Sequence, residues 1–137
     1  MDILINSQKK LSEIQDEFQK CFQFLKIEFF TKKPIPVLEE GDQQAKMYEG
    51  KKTIGDISGK IDIANLLITG LMTVAQLEKE LKEHTGIHSE VFRKSGKVWL
   101  VTSTSDDWTL DEQNHKARVI TETKTIEPEK PDYHEQE

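Results

Sequence analysis

The stretch from residue 91 to 102, VFRKSGKVWLVT, places the strongest constraint on the fold of this chain. Apolar residues flank Ser95-Gly96 on both sides, and this arrangement predicts a β-hairpin. Lysines beside a glycine also suggest a phosphate-binding loop. That motif, however, needs an earlier glycine and a helix that follows the loop. Because the sequence predicts a strand after Gly96, we interpret the stretch as a hairpin.

The predicted turn determines which side chains share a face of the sheet. With Ser95-Gly96 as the loop, Phe92 lies opposite Trp99, and Lys94 lies opposite Lys97. A two-layer sandwich covers one face of its sheet with helices and leaves the other face open. We predict that the open face carries the binding residues Phe92, Trp99, Lys94, Lys97 and Phe30. The inward face is predicted to carry Ile27, Phe29, Ile61, Ile63, Val91, Val98 and Leu100.

Helix signals precede and follow the first predicted strand. Residues 7–24 place apolar side chains at steps of three and four, which predicts an amphipathic helix. Thr73 and Gln76 fit a capping box that starts a second helix, and Gly86 fits the left-handed position at its end. The same start signal recurs twice, at Thr53 with Asp56 and at Thr109 with Glu112.

The predicted strands and helices together define a fold class. KIEFF (26–30) and GKIDIAN (59–65) alternate as strands do, and the hairpin adds two more strands. The predicted order is α-β-β-α-β-β, which indicates an α+β two-layer sandwich. This order is that of a ferredoxin-like sandwich whose first strand has moved to the end. A circularly permuted ferredoxin-like fold is therefore the first prediction.

Two resemblances to known proteins accompany these patterns. TVAQLEKELKEHTGI (73–87), followed by two strands and by DDWTLDEQN (106–114), resembles the helix and later strands of ubiquitin-like β-grasp domains. That resemblance implies a β-grasp fold as the alternative, and it carries no modifier function with it. The pattern from LKIEFF through VFRKSGKVWL to DDWTLDEQN resembles a set of short bacterial proteins with no assigned activity. It implies no function.

Length and composition set the expected domain organisation. A chain of 137 residues fits one domain, which we place at residues 1–116. Residues 32–52 lack a sustained period and contain prolines and glycines, so we predict a mobile excursion there. Residues 117–137 are acidic and poor in apolar periodicity, which predicts a disordered tail.

The charge and cysteine content narrow the classes of function. The net charge of −6 argues against a general binder of nucleic acids or anionic membranes. The single cysteine, Cys21, indicates a reducing compartment, and no segment reaches the roughly 18–20 apolar residues of a membrane span. We therefore expect a cytoplasmic protein with no membrane partner.

No arrangement of residues predicts catalysis, a metal site or a cofactor. His84 and His88 are separated by the helix-ending Gly86, and Glu28, Glu90 and Asp62 show no division of acid and base roles. The remaining hypothesis is a non-catalytic module that binds another protein, or a second copy of itself, through the open face of the hairpin. Two alternatives stay open: a binder of single-stranded nucleic acid, and an enzyme with a pocket under the 32–52 loop.

Overall fold

The computed structural model describes residues 2–35, 37–58 and 66–126. Within them the chain alternates helices and strands from its first residues onward. The elements are, in order, β1 (Ile3–Ile5), α1 (Leu11–Cys21), β2 (Leu25–Phe30), α2 (Ile54–Ser58), β3 (Leu66–Ile68), α3 (Val74–Thr85), β4 (His88–Ser95), β5 (Val98–Val101), a 3-10 turn (Ser103–Ser105) and α4 (Leu110–Ile126).

The strands form two antiparallel sheets. One sheet has the order β2-β4-β5, and the other pairs β1 with β3. Along β2 and β4, buried residues alternate strictly with half-buried ones, so one face of the larger sheet points into the core. Helix α1 contributes Leu11, Ile14 and Phe18 to that core. The predicted α+β class and its two-layer sandwich are thus confirmed.

The predicted order of elements needs correction. It left out β1 and β3, and it did not count α2 and α4, although their start signals at Thr53 and Thr109 predicted short helices. It also placed a second strand at residues 59–65, which lie outside the described residues together with Ile61 and Ile63. A ferredoxin-like sandwich has a single four-stranded sheet, whereas the described strands divide between two sheets. Strand β1 escaped prediction because three residues are too few to establish an alternation.

Capping boxes start three of the helices, as the sequence predicted. The Thr73 hydroxyl accepts a hydrogen bond from the Gln76 amide at 3.1 Å, and the Gln76 side chain accepts one from the Thr73 amide at 2.9 Å. Gly86 ends α3 in the left-handed conformation, with φ of 74°. The same reciprocal bonds join Thr53 to Asp56 and Thr109 to Glu112.

Helices α3 and α4 begin side by side. Segments 70–75 and 106–111 exchange backbone hydrogen bonds, for example from the amide of Leu110 to the carbonyl of Met72 at 2.9 Å. We call this contact the paired helix starts. It brings the first turn of α4 directly beside the first turn of α3.

Helix α4 overturns the predicted boundary at residue 117. Ala117 is fully buried, and the Thr121 hydroxyl donates to the carbonyl of Lys94 at 3.1 Å. The helix continues to Ile126, so the prediction of a disordered tail is wrong for residues 117–126. It failed because the inward side chains of α4 are small or polar and leave no apolar stripe. Residues 127–137 lie outside the described residues.

Residues 32–52 are attached to the sheet at one end and to α1 at the other. The Thr31 amide donates to the carbonyl of Lys46 at 2.9 Å, and the Tyr48 amide donates to the carbonyl of Phe29 at 3.0 Å. Further on, the Ser12 amide donates to the carbonyl of Gly50 at 2.9 Å. Residues 46–48 therefore lie along the end of β2, and the mobility of the segment stays a prediction.

Candidate functional site

The candidate site is the face of the larger sheet that points away from the core. Alternation along β2, β4 and β5 assigns this face its residues. We call it the open face. It carries Lys26, Glu28, Phe30, His88, Glu90, Phe92, Lys94, Trp99 and Val101. Of these residues Val101 is exposed, at 44%, and the others are half-buried.

The predicted register of the hairpin is wrong. Phe92 lies opposite Val101, Lys94 lies opposite Trp99, and the two-residue loop is Gly96-Lys97. The first position of such a loop needs a positive φ, which Gly96 adopts at 65° and which would strain a serine. The shift moves each partner by an even number of residues, so the predicted division between the two faces survives.

Phe92 and Trp99 come together around a lysine that the sequence did not single out. Lys26 lies opposite Phe92 on the neighbouring strand, and its Nζ sits 5.4 Å from the Phe92 ring centre and 5.0 Å from the Trp99 ring centre. Both distances fall within the range of cation–π attraction. The two rings are half-buried, and the ammonium group of Lys26 lies over both of them.

The other predicted binding residues lie at the two ends of the open face. Lys94 is half-buried beside Trp99, and Lys97 is exposed in the hairpin loop. Phe30 lies at the opposite end, where it pairs with His88 and forms a bridge to Met47. The structure therefore joins the aromatic pair with its lysines and leaves Phe30 apart from them.

The inward-facing prediction holds for β2 and β4 but not for β5. Ile27, Phe29 and Val91 are at most 1% exposed, whereas Val98 is 46% exposed and Leu100 is only half-buried. The helices pack against β2 and β4, which leaves β5 at the margin of the helical layer.

An acid pair lies at the end of β4 that is farther from the hairpin loop. Glu78 of α3 hydrogen bonds to the Glu90 side chain and to the backbone amide of Val91. Burial, then the Glu90 charge and its hydrogen bond, raise the pKa of Glu78 to about 8. Burial also raises the pKa of Glu90, although the hydrogen bond from Glu78 acts in the opposite direction. The two carboxyl groups thus lie in hydrogen-bond contact, and the Asp106 charge is close enough to raise the pKa of both.

Other parts of the chain bond to two outward carbonyls on the outer edge of β2. The Gln15 side chain donates to the carbonyl of Ile27 at 3.0 Å, and the Tyr48 amide donates to the carbonyl of Phe29. On the other side of the sheet, β4 extends past the end of β5. There the Thr102 hydroxyl donates to the carbonyl of Val91 at 2.9 Å, and the Glu78 carboxyl accepts from the amide of Val91.

The outer edge of β5 is different. The Lys94 amide donates to the carbonyl of Phe24 at 2.8 Å, on the β2 side, so the backbone groups of the residues on either side of Lys94 point toward β5. By the same alternation, Trp99 and Val101 direct their N–H and C=O groups outward. Within residues 2–35, 37–58 and 66–126, no hydrogen bond reaches these outward groups.

Two shallow surface depressions were found, and neither involves the acid pair or the 32–52 segment. One, of about 330 Å³, is lined by α1 residues 16, 19 and 20 and by Gln23. The other, of about 250 Å³, is lined by Trp108 and by α4 residues 112, 115 and 116. Neither depression is lined by Glu78 or Glu90.

Lys26 and the acid pair are the features that sequence reasoning missed. Alternation within KIEFF already places Lys26 on the same face as Phe30, but no sequence signal shows that β2 lies next to β4. Glu78 looked like any other charged residue on the outer face of a helix. Only the pairing of β2 with β4 and the position of α3 reveal these contacts.

Comparison of the chain with protein-family models, with curated proteins and with solved structures found no match. The β-grasp resemblance accordingly stays a prediction. In the described ranges, no group of three or more His, Cys, Asp or Glu residues could hold a metal ion. The helices of the same ranges are each too short or too polar to cross a membrane.

Proposed function

We propose that this protein is a non-catalytic interaction module that binds a protein partner through the open face at the hairpin end. The observation that carries the proposal is the cluster of Phe92, Trp99 and Lys26, whose half-exposed rings flank one ammonium group. Aromatic residues dominate the binding energy of many protein interfaces, where they pack against apolar groups of the partner. We place the module in the cytoplasm, as the single cysteine indicates.

The charges around the rings indicate the chemistry of the partner surface. Lys26, Lys94 and Lys97 concentrate positive charge at the hairpin end of a chain whose net charge is −6. A complementary partner presents a carboxylate beside an apolar side chain, since opposite charges at an interface steer association and fix its register. The ammonium group of Lys26 is held in place by the rings and is thus oriented before binding.

The proposal is tested by replacing one ring and comparing the proteins that co-purify. Tagged wild-type protein and Trp99→Ala are expressed in the source organism, and captured proteins are quantified by mass spectrometry. Val119→Ala is the control, because Val119 is an exposed apolar residue, at 45%, that lies on α4 and away from the hairpin. A partner retained by wild type and control, and lost about tenfold or more from Trp99→Ala, supports the proposal.

Two results would remove the proposal. If Trp99→Ala unfolds the domain, as judged by its thermal transition, Trp99 belongs to a core and is not a binding residue. If instead the chain binds a labelled single-stranded oligonucleotide with an affinity that falls steeply with salt, the nucleic-acid alternative replaces it.

A further inference from the structure

The edge strand β5 offers an unpaired set of backbone groups next to the proposed binding face. Its sequence, VWLV, contains no charged residue and no proline, which are the usual protections of an exposed edge. Val98 and Val101 are 46% and 44% exposed. Elsewhere along the edges of this sheet, Gln15, Tyr48, Thr102 and Glu78 bond to the carbonyls of Ile27, Phe29 and Val91 and to the amide of Val91, whereas no such bond reaches β5 among the described residues.

We infer that β5 pairs with β5 of a second copy of this chain, antiparallel and around a two-fold axis. In the register that suits the outward groups, Trp99 of one copy lies opposite Val101 of the other, and Leu100 lies on the axis. Each Trp99–Val101 pair directs its backbone groups across the interface, so the outward N–H and C=O groups of both residues become bonded, while Leu100 forms a non-bonded pair on the axis. The two three-stranded sheets join into one continuous sheet.

The distribution of charge along β5 favours this partner and this direction. The strand begins beside Lys94 and Lys97, and beyond its end the chain continues to Asp106 and Asp107, of which Asp106 lies close to the acid pair. An antiparallel pairing places the basic end of each copy beside the acidic end of the other. A parallel pairing would bring like charges together, which costs binding energy.

The inference rests on the proposed function in one respect, since Trp99 contributes its ring to the open face and its backbone to the edge. Pairing of β5 strands leaves the rings of both copies on the same side of the joined sheet, because opposite residues in a sheet share a face. The dimer would therefore present two copies of the ring cluster side by side. A second copy at the edge and another protein on the open face are compatible.

Sedimentation equilibrium of the full chain, with a charge exchange, tests the inference. Lys97→Glu and Asp107→Lys change exposed residues at the two ends of β5. Each variant alone should dimerise about tenfold more weakly than wild type, because each puts like charges together at both ends of the dimer. An equimolar mixture of the two should regain wild-type association as a heterodimer. Lys116→Glu, exposed on α4, is the control and should dimerise as wild type does.

A covalent trap gives an independent test that does not depend on affinity. In a Cys21→Ser background, Leu100→Cys places two thiols across the axis at a non-bonded pair, where the Cα atoms approach to about 4.5 Å and a disulfide fits. Mild oxidation should give a covalent dimer. Val119→Cys in the same background should stay monomeric, although Val119 is more exposed than Leu100.

The inference is overturned if the wild-type chain stays monomeric up to about 1 mM, a concentration at which even weak pairing is visible. It is also overturned if the mixture of charge variants associates no better than each variant alone. A monomeric chain that still loses a captured protein on Trp99→Ala would refute the dimer and keep the proposed function. A dimer that captures no other protein through Trp99 would support the β5 pairing and refute the proposed function.

Discussion

The two outer edges of the larger sheet differ in the hydrogen bonds that they receive from the rest of the chain. On the β2 edge, a side chain of α1 and the backbone of the 32–52 segment bond to the carbonyls of Ile27 and Phe29. On the β5 edge, the outward groups of Trp99 and Val101 meet no other described residue. Since an unpaired strand edge is a template for another strand, the difference separates a surface that belongs to the fold from one that is open to a partner.

The largest expected effect on stability comes from the part of β4 that extends past the end of β5, where Thr102 bonds to its backbone. Thr102 is fully buried, and its hydroxyl donates to the carbonyl of Val91. Thr102→Val keeps the shape but leaves that carbonyl unsatisfied, so the free energy of unfolding should fall by about 2 kcal/mol. Urea denaturation measures this, with Thr123→Val, exposed on α4, as the control. A loss below about 0.5 kcal/mol would mean that the hydroxyl is not needed to close the edge.

Glu78 accepts a hydrogen bond from the amide of Val91, and its contribution to stability depends on pH. Its pKa is raised from 4.5 to about 8, so the folded state binds the proton more tightly than the unfolded state does. This contribution to stability is fully present below pH 4.5 and is lost as the pH rises through about 8. Glu78→Gln mimics the protonated carboxyl. It should stabilise the protein at pH 8 by on the order of 1–2 kcal/mol and reduce the loss of stability that wild type shows as the pH rises.

The control for that pH profile is Glu83→Gln, because Glu83 is exposed on the same helix and forms an ion pair with Lys79 at 4.0 Å. Exposed pairs of this kind contribute little to stability. Thermal or urea unfolding between pH 4 and pH 9 compares the three proteins. A Glu78→Gln profile as steep as that of wild type would show that another group causes the decline.

On the β2 edge, Gln15 offers a direct comparison within one helix. Gln15→Ala removes the donor to the carbonyl of Ile27, and we expect the free energy of unfolding to fall by about 1 kcal/mol. Gln19→Ala, exposed on the same helix, should change it by less than about 0.5 kcal/mol. Equal effects from the two substitutions would contradict the role assigned to Gln15.

The smallest effect on stability is expected at the open edge itself. Val101→Lys adds a charge of the kind that protects natural edge strands, at a side chain that is already 44% exposed. In dilute solution the free energy of unfolding should change by no more than about 0.5 kcal/mol. Light scattering at high concentration should show less association than wild type. Unfolding of the variant would mean that Val101 belongs to the fold and that the two edges are alike.

The sequence allowed the local structure to be predicted better than the arrangement of its parts. Capping boxes at Thr53, Thr73 and Thr109 were readable because each depends on residues three positions apart. The open face was also predictable in part, since alternation within β2 and β4 is a local property. The hairpin register was not, because the choice between two possible loops depended on the φ of Gly96.

Features made by distant contacts were beyond the sequence. Lys26 reaches the rings only because β2 pairs with β4, and Glu78 meets Glu90 only because α3 packs against β4. Helix α4 was cut short in the prediction because Ala117 and Thr121 face the sheet without forming an apolar stripe. In each case the missing information was which elements are neighbours.

The paired helix starts have a consequence for the way this protein opens. Helices normally fray from their ends, but segments 70–75 and 106–111 share backbone hydrogen bonds, so α3 cannot release its first turn while α4 keeps its own. The stretch between the two segments holds both strands of the hairpin. The two helices and the hairpin should therefore open as a single cooperative unit in native-state hydrogen exchange, with the amides of Val74 and Leu110 sharing one opening free energy.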